Sequence, residues 1–201
     1  MPVVLYQGPE AWAASTRFLD LVDLPADLLE VVREHLPDFR FVLDDLSLQA
    51  DQEIRARTRH PLAALALLLL KHARDQRDAF LTALREAADL LRQVEDKGDL
   101  LLTSSYILVV GQVTVREIEA TLGEAVTPQV REAVMTAAER LIEQGRLQER
   151  LDMLKVLLET RFGVLNEWVT QRLQRATGEE LTSWLTRFAN AKSLDEVFET
   201  E

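Results

Sequence analysis

The two clear strand-forming runs of this 201-residue chain both lie in its first 45 residues. Val3-Val-Leu-Tyr6 is a β-branched and aromatic run closed by Gly8-Pro9. Phe39-Arg-Phe-Val-Leu43 alternates before Asp44-Asp45. Strands are therefore expected over 3–6 and 39–43. From there to the C-terminus the apolar residues recur at helical spacing. Two runs this short cannot make a large sheet, so the expected fold is mainly α with a small β element.

The helical stretches carry their own punctuation. Ala26–Leu36 places Leu28, Leu29, Val32 and Leu36 on one face and stops before Pro37. Asp51 can cap a helix running to Arg57. Pro61 suits the first turn of Leu62–His72, whose almost wholly apolar sequence predicts burial on nearly every side. Phe80–Val94 reads as one amphipathic helix. Leu100–Val113 reads as a buried helix, although Ile107 to Val110 also suits a strand.

Thr127-Pro128 is a strong helix start. Beyond it Val130, Val134, Ala137 and Leu141 form a seam that lapses at Gln144, Gly145 and Gln148 and resumes at Leu151, Leu154 and Leu158. Glycine costs a helix interior about 1 kcal/mol relative to alanine, which makes Gly145 the expected weak point or break. Gly163 is a candidate C-cap. Two short amphipathic helices follow over 165–175 and 178–190. The expected division is one domain over 1–145 and a small helical domain over 150–201.

Composition narrows the chemistry. The formal charge of −11 argues against strong DNA binding by the chain alone, since neutralising phosphate supplies most of that affinity. With no cysteines there are neither disulfides nor thiolate metal sites. His35, His60 and His72 lack the H-x-x-x-H spacing of a zinc helix. No signal peptide is visible, and the apolar runs fall short of the roughly 18–20 residues of a membrane span. A cytoplasmic bacterial protein without membrane contact is expected.

Several blocks occur in an order that resembles a known family. Val4-Leu5-Tyr6-x-Gly8 precedes Trp12, and Phe39-Arg-Phe-x-Leu43-x-Asp45-Leu46-Ser47 follows, then Leu65–Lys71-His72. Met135-Thr-Ala-Ala-Glu139-Arg-Leu-Ile-Glu-Gln-Gly145-Arg runs on to Arg161-Phe-Gly163, a Trp184-Leu185 helix and a closing Ser193-Leu-Asp-Glu-Val-Phe198. In this order they resemble the Rpn-type recombination-promoting nucleases, also called putative transposases. Gln144–Arg150 is similar to one compressed copy of the family's low-complexity run. Leu154–Phe198 resembles the small helical domain of unknown function that ends many members.

The resemblance implies a remnant of a restriction-endonuclease-like sheet, of the PD-(D/E)XK type, followed by a helical bundle. It also implies Mg²⁺-dependent DNA cleavage by the intact nuclease and a link to DNA recombination. The family places its catalytic Asp and Glu on a hairpin before the Leu-Tyr-x-Gly strand, which here begins at residue 3. The expectation is therefore a C-terminal portion, truncated or separately encoded, that is inactive alone. It would have no catalytic residue, metal ligand or cofactor of its own, and would meet DNA only within an intact nuclease. No nucleic-acid-binding residue is assigned.

Candidate chemistry in the chain itself has simpler readings beside it. Pro37-Asp38 with Glu95-Asp96-Lys97 matches the nuclease motif in letters, but the two lie far apart, in a turn and at a helix end. Asp44, Asp45, Asp51 and Glu53 are oxygen ligands of the kind magnesium takes, yet strand ends and helix starts favour the same residues as caps. Arg55, Arg57, Arg59, His60, Lys71, His72, Arg74 and Arg77 form the one basic cluster. Asp51, Glu53, Asp75 and Asp78 are interleaved with it and suggest a solvated, charge-balanced face. Trp168, Trp184 and Phe188 fall at core spacing.

A rival reading is a helical oligomerisation or partner-docking module without cleavage. Two routes to a homo-oligomer present themselves: an unpaired sheet edge, and the seam from Val130 to Leu158.

Overall fold

The computed structural model describes residues 1–199. Strand β1 (Val3–Tyr6) pairs in parallel with β2 (Val42–Asp45), Val3 opposite Val42 and Tyr6 opposite Asp45. A parallel pair needs a crossover, and the chain between them supplies one that includes helix α1 (Ala26–Val32). The rest is helical: α2 (Asp51–Ala56), α3 (Pro61–Lys71), α4 (Arg77–Glu86), α5 (Ala88–Arg92), α6 (Lys97–Val110), α7 (Val115–Leu122), α8 (Pro128–Phe162), α9 (Glu167–Gln174), α10 (Gly178–Phe188) and α11 (Leu194–Phe198). The chain is thus mostly helical with a two-stranded parallel sheet. Among the described residues no single helix is long and apolar enough to cross a membrane.

The second strand differs from its expected bounds, 39–43. Residues 39–41 pair with an earlier segment: the Phe41 N–H donates to Thr16 O (3.1 Å), and the Phe18 N–H to Phe39 O (2.9 Å). Phe18 and Phe39 stack with centroids 5.1 Å apart. The ladder to β1 starts only at Val42 and runs on through Asp45. Helix α1 also stops early, passing into a 3-10 turn over Arg33–His35. Leu36 must be extended ahead of Pro37, which ends regular helix before it.

Compact packing divides the chain into two units, Met1–Ala137 and Ala138–Glu201. In the first, Leu46, Ile54, Leu65, Phe80, Leu84, Leu91, Leu100, Ile107 and Ile118 form a continuous core. Helix α3 buries only Ala64, Leu65, Leu68 and Leu69, leaving Ala66 exposed, so its apolar sequence overstates its burial. Phe80–Val94 is two helices meeting at Ala87 rather than one. Helix α6 is helical through Ile107–Val110, with Leu102 and Val109 exposed. Helix α7 starts on a reciprocal cap: the Thr114 hydroxyl accepts from the Glu117 N–H, and Glu117 accepts from the Thr114 N–H.

In the second unit Leu154, Leu158, Val169, Leu173, Leu181, Trp184, Val197 and Phe198 form a separate core. Helix α8 is unbroken through Gly145, in contrast to a break at the lapse of the seam. Thr127 caps its start, the hydroxyl accepting from the Val130 N–H at 3.2 Å. Gly163 ends it at φ +83°, the left-handed conformation expected of a glycine cap. Trp168 is not core. It stays partly exposed, with its ring edge against Phe198.

Candidate functional site

The carboxylates that sequence puts forward cluster around the end of β2 and the start of α2, and each is committed to a local partner. Asp45 accepts from the Trp12 N–H (2.8 Å), the Ser47 N–H (2.9 Å) and the Ser47 hydroxyl (2.6 Å). Burial alone would raise its pKa, but these donors outweigh that and hold it below the ordinary carboxylate value. Asp44 is bonded to the Arg57 guanidinium and Gln49, and Arg57 is the main cause of its lowered pKa. Glu53 reaches back to the Ala50 N–H at 2.9 Å and caps α2. Asp51 is not the cap. It is the first helical residue and accepts from Lys71 Nζ at 2.5 Å.

A short charged chain crosses from α2 to the end of α3. His72 Nε2 lies 3.0 Å from Asp51, and His72 Nδ1 lies 2.5 Å from Asp75. Burial works against the charge of Asp51, yet the hydrogen bonds from Lys71 and His72 leave its pKa lowered. The arrangement ties two helices together without aiming its oxygens at a common point. Among the described residues no group of three or more His, Asp or Glu side chains could hold a metal ion.

The second acidic set is dispersed as well. Asp38 makes a two-pronged pair with Arg17, whose Nε lies 2.7 Å from it. Asp96 caps α6, accepting from the Asp99 N–H at 2.9 Å, while Lys97 faces Glu132 at 3.7 Å. Glu95 is exposed. The residues that match a nuclease motif in letters thus serve as a surface pair and a helix start.

The basic cluster is largely neutralised, by partners that sequence order hides. Arg55 pairs with Asp89, 34 residues on, and Arg57 with Asp44. Arg77 pairs with Glu117, 40 residues on. Of the four acids interleaved with the cluster, Asp51 and Asp75 take part, while Glu53 caps a helix and Asp78 is in no ion pair among the described residues. Arg59, His60 and Arg74 are in no ion pair among the described residues. That leaves few cations of the cluster free to meet a phosphate backbone.

The block Tyr6-x-Gly8 with Trp12 has a packing cause. The Tyr6 ring lies over Gly8 so closely that a Cβ there would fall 1.8 Å from the Tyr6 hydroxyl. Trp12 meets Tyr6 and Phe41 edge-on at 5.2 and 6.1 Å, and its backbone N–H is the one held by Asp45. Residues that carry the family resemblance in the sequence form the lock between the two strands and the chain that joins them.

The profile of the family described as "Putative transposase, YhgA-like" matches residues 1–101, and the chain belongs to this family. It is similar to the "Putative inactive recombination-promoting nuclease-like protein YjiQ" of Escherichia coli K12. The two are 32% identical over 149 residues, spanning 70% of this chain and 72% of that relative. No solved structure matches the chain.

Proposed function

We propose that this chain is a non-cleaving member of the recombination-promoting nuclease lineage. In this reading its sheet lock and helices are the structural part of such a nuclease, and it meets DNA only where an intact nuclease supplies the catalytic groups. One observation carries this: Asp38, Asp44, Asp45, Asp51, Glu53 and Asp96 are each engaged by a different cap or cation, so none is available to converge on a hard cation. The Mg²⁺ that the family resemblance implies therefore does not fit the residues present. The relative's printed description as inactive is in keeping with the same reading. The negative charge and the neutralised basic cluster also weigh against DNA binding by the chain alone.

The test is plasmid cleavage by the purified chain with Mg²⁺ and with Mn²⁺, with no nicking expected. Metal-dependent cleavage lost on Asp45→Ala or Glu95→Ala would overturn the reading and place an active site at the lost residue.

A further inference from the structure

Helix α3 is apolar on almost every side but buries only one, and its unspent face adjoins a similar surplus on α6. Leu62, Ala66, Leu69 and Leu70 of α3 line an open groove with Leu102 and Tyr106 of α6. The groove has a volume of about 340 Å³, and no charged side chain lines it. Ala66 is exposed, and Leu102 retains 72% of its accessible surface. Leu102, Tyr106 and Val109 follow one another at intervals of four and three residues, so they share one face of α6. Val109, at the far end of this row, is 56% exposed. The apolar surface therefore runs on past the groove as a stripe.

Shape and charge together select the occupant. A small ligand would leave the stripe beyond the groove in water. An amphipathic helix with apolar residues at i, i+4 and i+7 covers groove and stripe at once. Arg59, just before α3, and Arg74, just after it, are exposed and in no ion pair among the described residues. Asp75, next to Arg74, is committed to His72. The two arginines bracket α3, about three helical turns long, so carboxylates at the two ends of a partner helix would meet them. The chain's charge of −11 opposes an acidic partner at long range, but at physiological salt charges beyond about 8 Å are largely screened and the local arginines decide. Asp99, the one carboxylate on α6, stands a turn before Leu102 and disfavours an acidic residue at that corner alone.

We propose that the groove between α3 and α6 docks an amphipathic helix of another protein, one with apolar residues at helical spacing and carboxylates at both ends. The inference is independent of whether the chain cleaves DNA. The groove and the Leu102–Val109 row take the apolar face of that helix and supply the affinity. Arg59 and Arg74, as exposed rim charges, fix its position along α3 and select its charge.

Selection from a displayed library of helical peptides, with the full chain as bait, tests the proposal. Enriched peptides should carry large apolar residues at i, i+4 and i+7 between acidic ends. A synthetic peptide of that pattern is then the probe, its binding followed by fluorescence anisotropy. Ala66→Glu plants a charge on the groove wall and should weaken binding at least about tenfold. Arg59→Glu combined with Arg74→Glu should weaken it about three- to tenfold, and should favour the same peptide remade with lysine ends. The substituted side chains are exposed, and unchanged far-ultraviolet circular dichroism shows the fold intact.

No enrichment, enrichment of basic-ended peptides, or binding indifferent to Ala66→Glu would each overturn the proposal. Two further results would replace the occupant and overturn it as well. Self-association of the chain that is lost on Leu102→Glu would make a second copy the cover. Flotation with phosphatidylcholine vesicles that is lost on the same change would make it a lipid surface.

Discussion

At the scale of single residues, this chain uses its charged and small side chains to close local geometry. Glu117 is the clearest case: the Thr114 N–H, then the Thr114 hydroxyl, then Arg77 lower its pKa from 4.5 to about 2. A carboxylate depressed in the folded state stabilises fully above its ordinary value, and that contribution is lost as pH falls through the folded pKa. The window here runs from 4.5 down to about 2. Glu117→Gln should therefore lower Tm at pH 7 and narrow the loss of Tm between pH 5 and pH 2, read by circular dichroism melts. An unchanged acid slope would show that Glu117 is not coupled to folding.

Gly8 makes a complementary steric prediction. Gly8→Ala must drive the Tyr6 ring off its seat, at a cost of about 1–3 kcal/mol typical of overpacking. Denaturant unfolding would measure it, and a neutral substitution would show that the ring moves freely. Neither role was read from the sequence, although Thr114-x-x-Glu117 has the spacing of a capping box. The Tyr-x-Gly spacing is visible in sequence, but the ring's position over the glycine is not, and Arg77 lies 40 residues from its carboxylate.

At the scale of elements, legibility followed the strength of the local signal. Val3–Tyr6, Pro61, Thr127-Pro128 and Gly163 mark boundaries that the structure keeps, because proline, glycine and a capping hydroxyl act on the backbone directly. The split of α4 from α5 at Ala87 was hidden, since no proline or glycine announces it. The start of β2 was hidden because Phe39–Phe41 alternates like a strand but pairs with Thr16–Phe18 instead. The candidate site fared differently. Its residues were readable as types, while the partners that neutralise them come from distant elements and only folding reveals them.

Helix α8 is the element with most to test. Between Glu139 and Arg150 only Leu141 and Leu147 are even half-buried, so local propensity sustains that stretch with little help from packing. Gly145 weakens propensity there, and a Cβ on it would meet open space. Gly145→Ala should stabilise the helix by up to about 1 kcal/mol. Trypsin should cut the native protein first after Arg146 or Arg150, and more slowly in the alanine variant. First cuts elsewhere would mean that this stretch is held by contacts other than its own hydrogen bonds.

At the scale of the whole molecule, the two hydrophobic cores share no residue. A single core would make every large-to-small substitution lower one common transition. Two cores joined by one helix predict separable responses, because each unit buries its own apolar surface and the linking stretch contributes little of it. Leu65→Ala should cost the first unit about 2–5 kcal/mol, and Leu158→Ala the second unit a similar amount. Both residues are fully buried. Amide exchange of α10 reports on the second core and should follow the Leu158 substitution and ignore the Leu65 one. Amide exchange of α3 should show the reverse. If either substitution lowered both signals together, the units would fold as one cooperative body, and α8 would then transmit stability along its exposed middle turns.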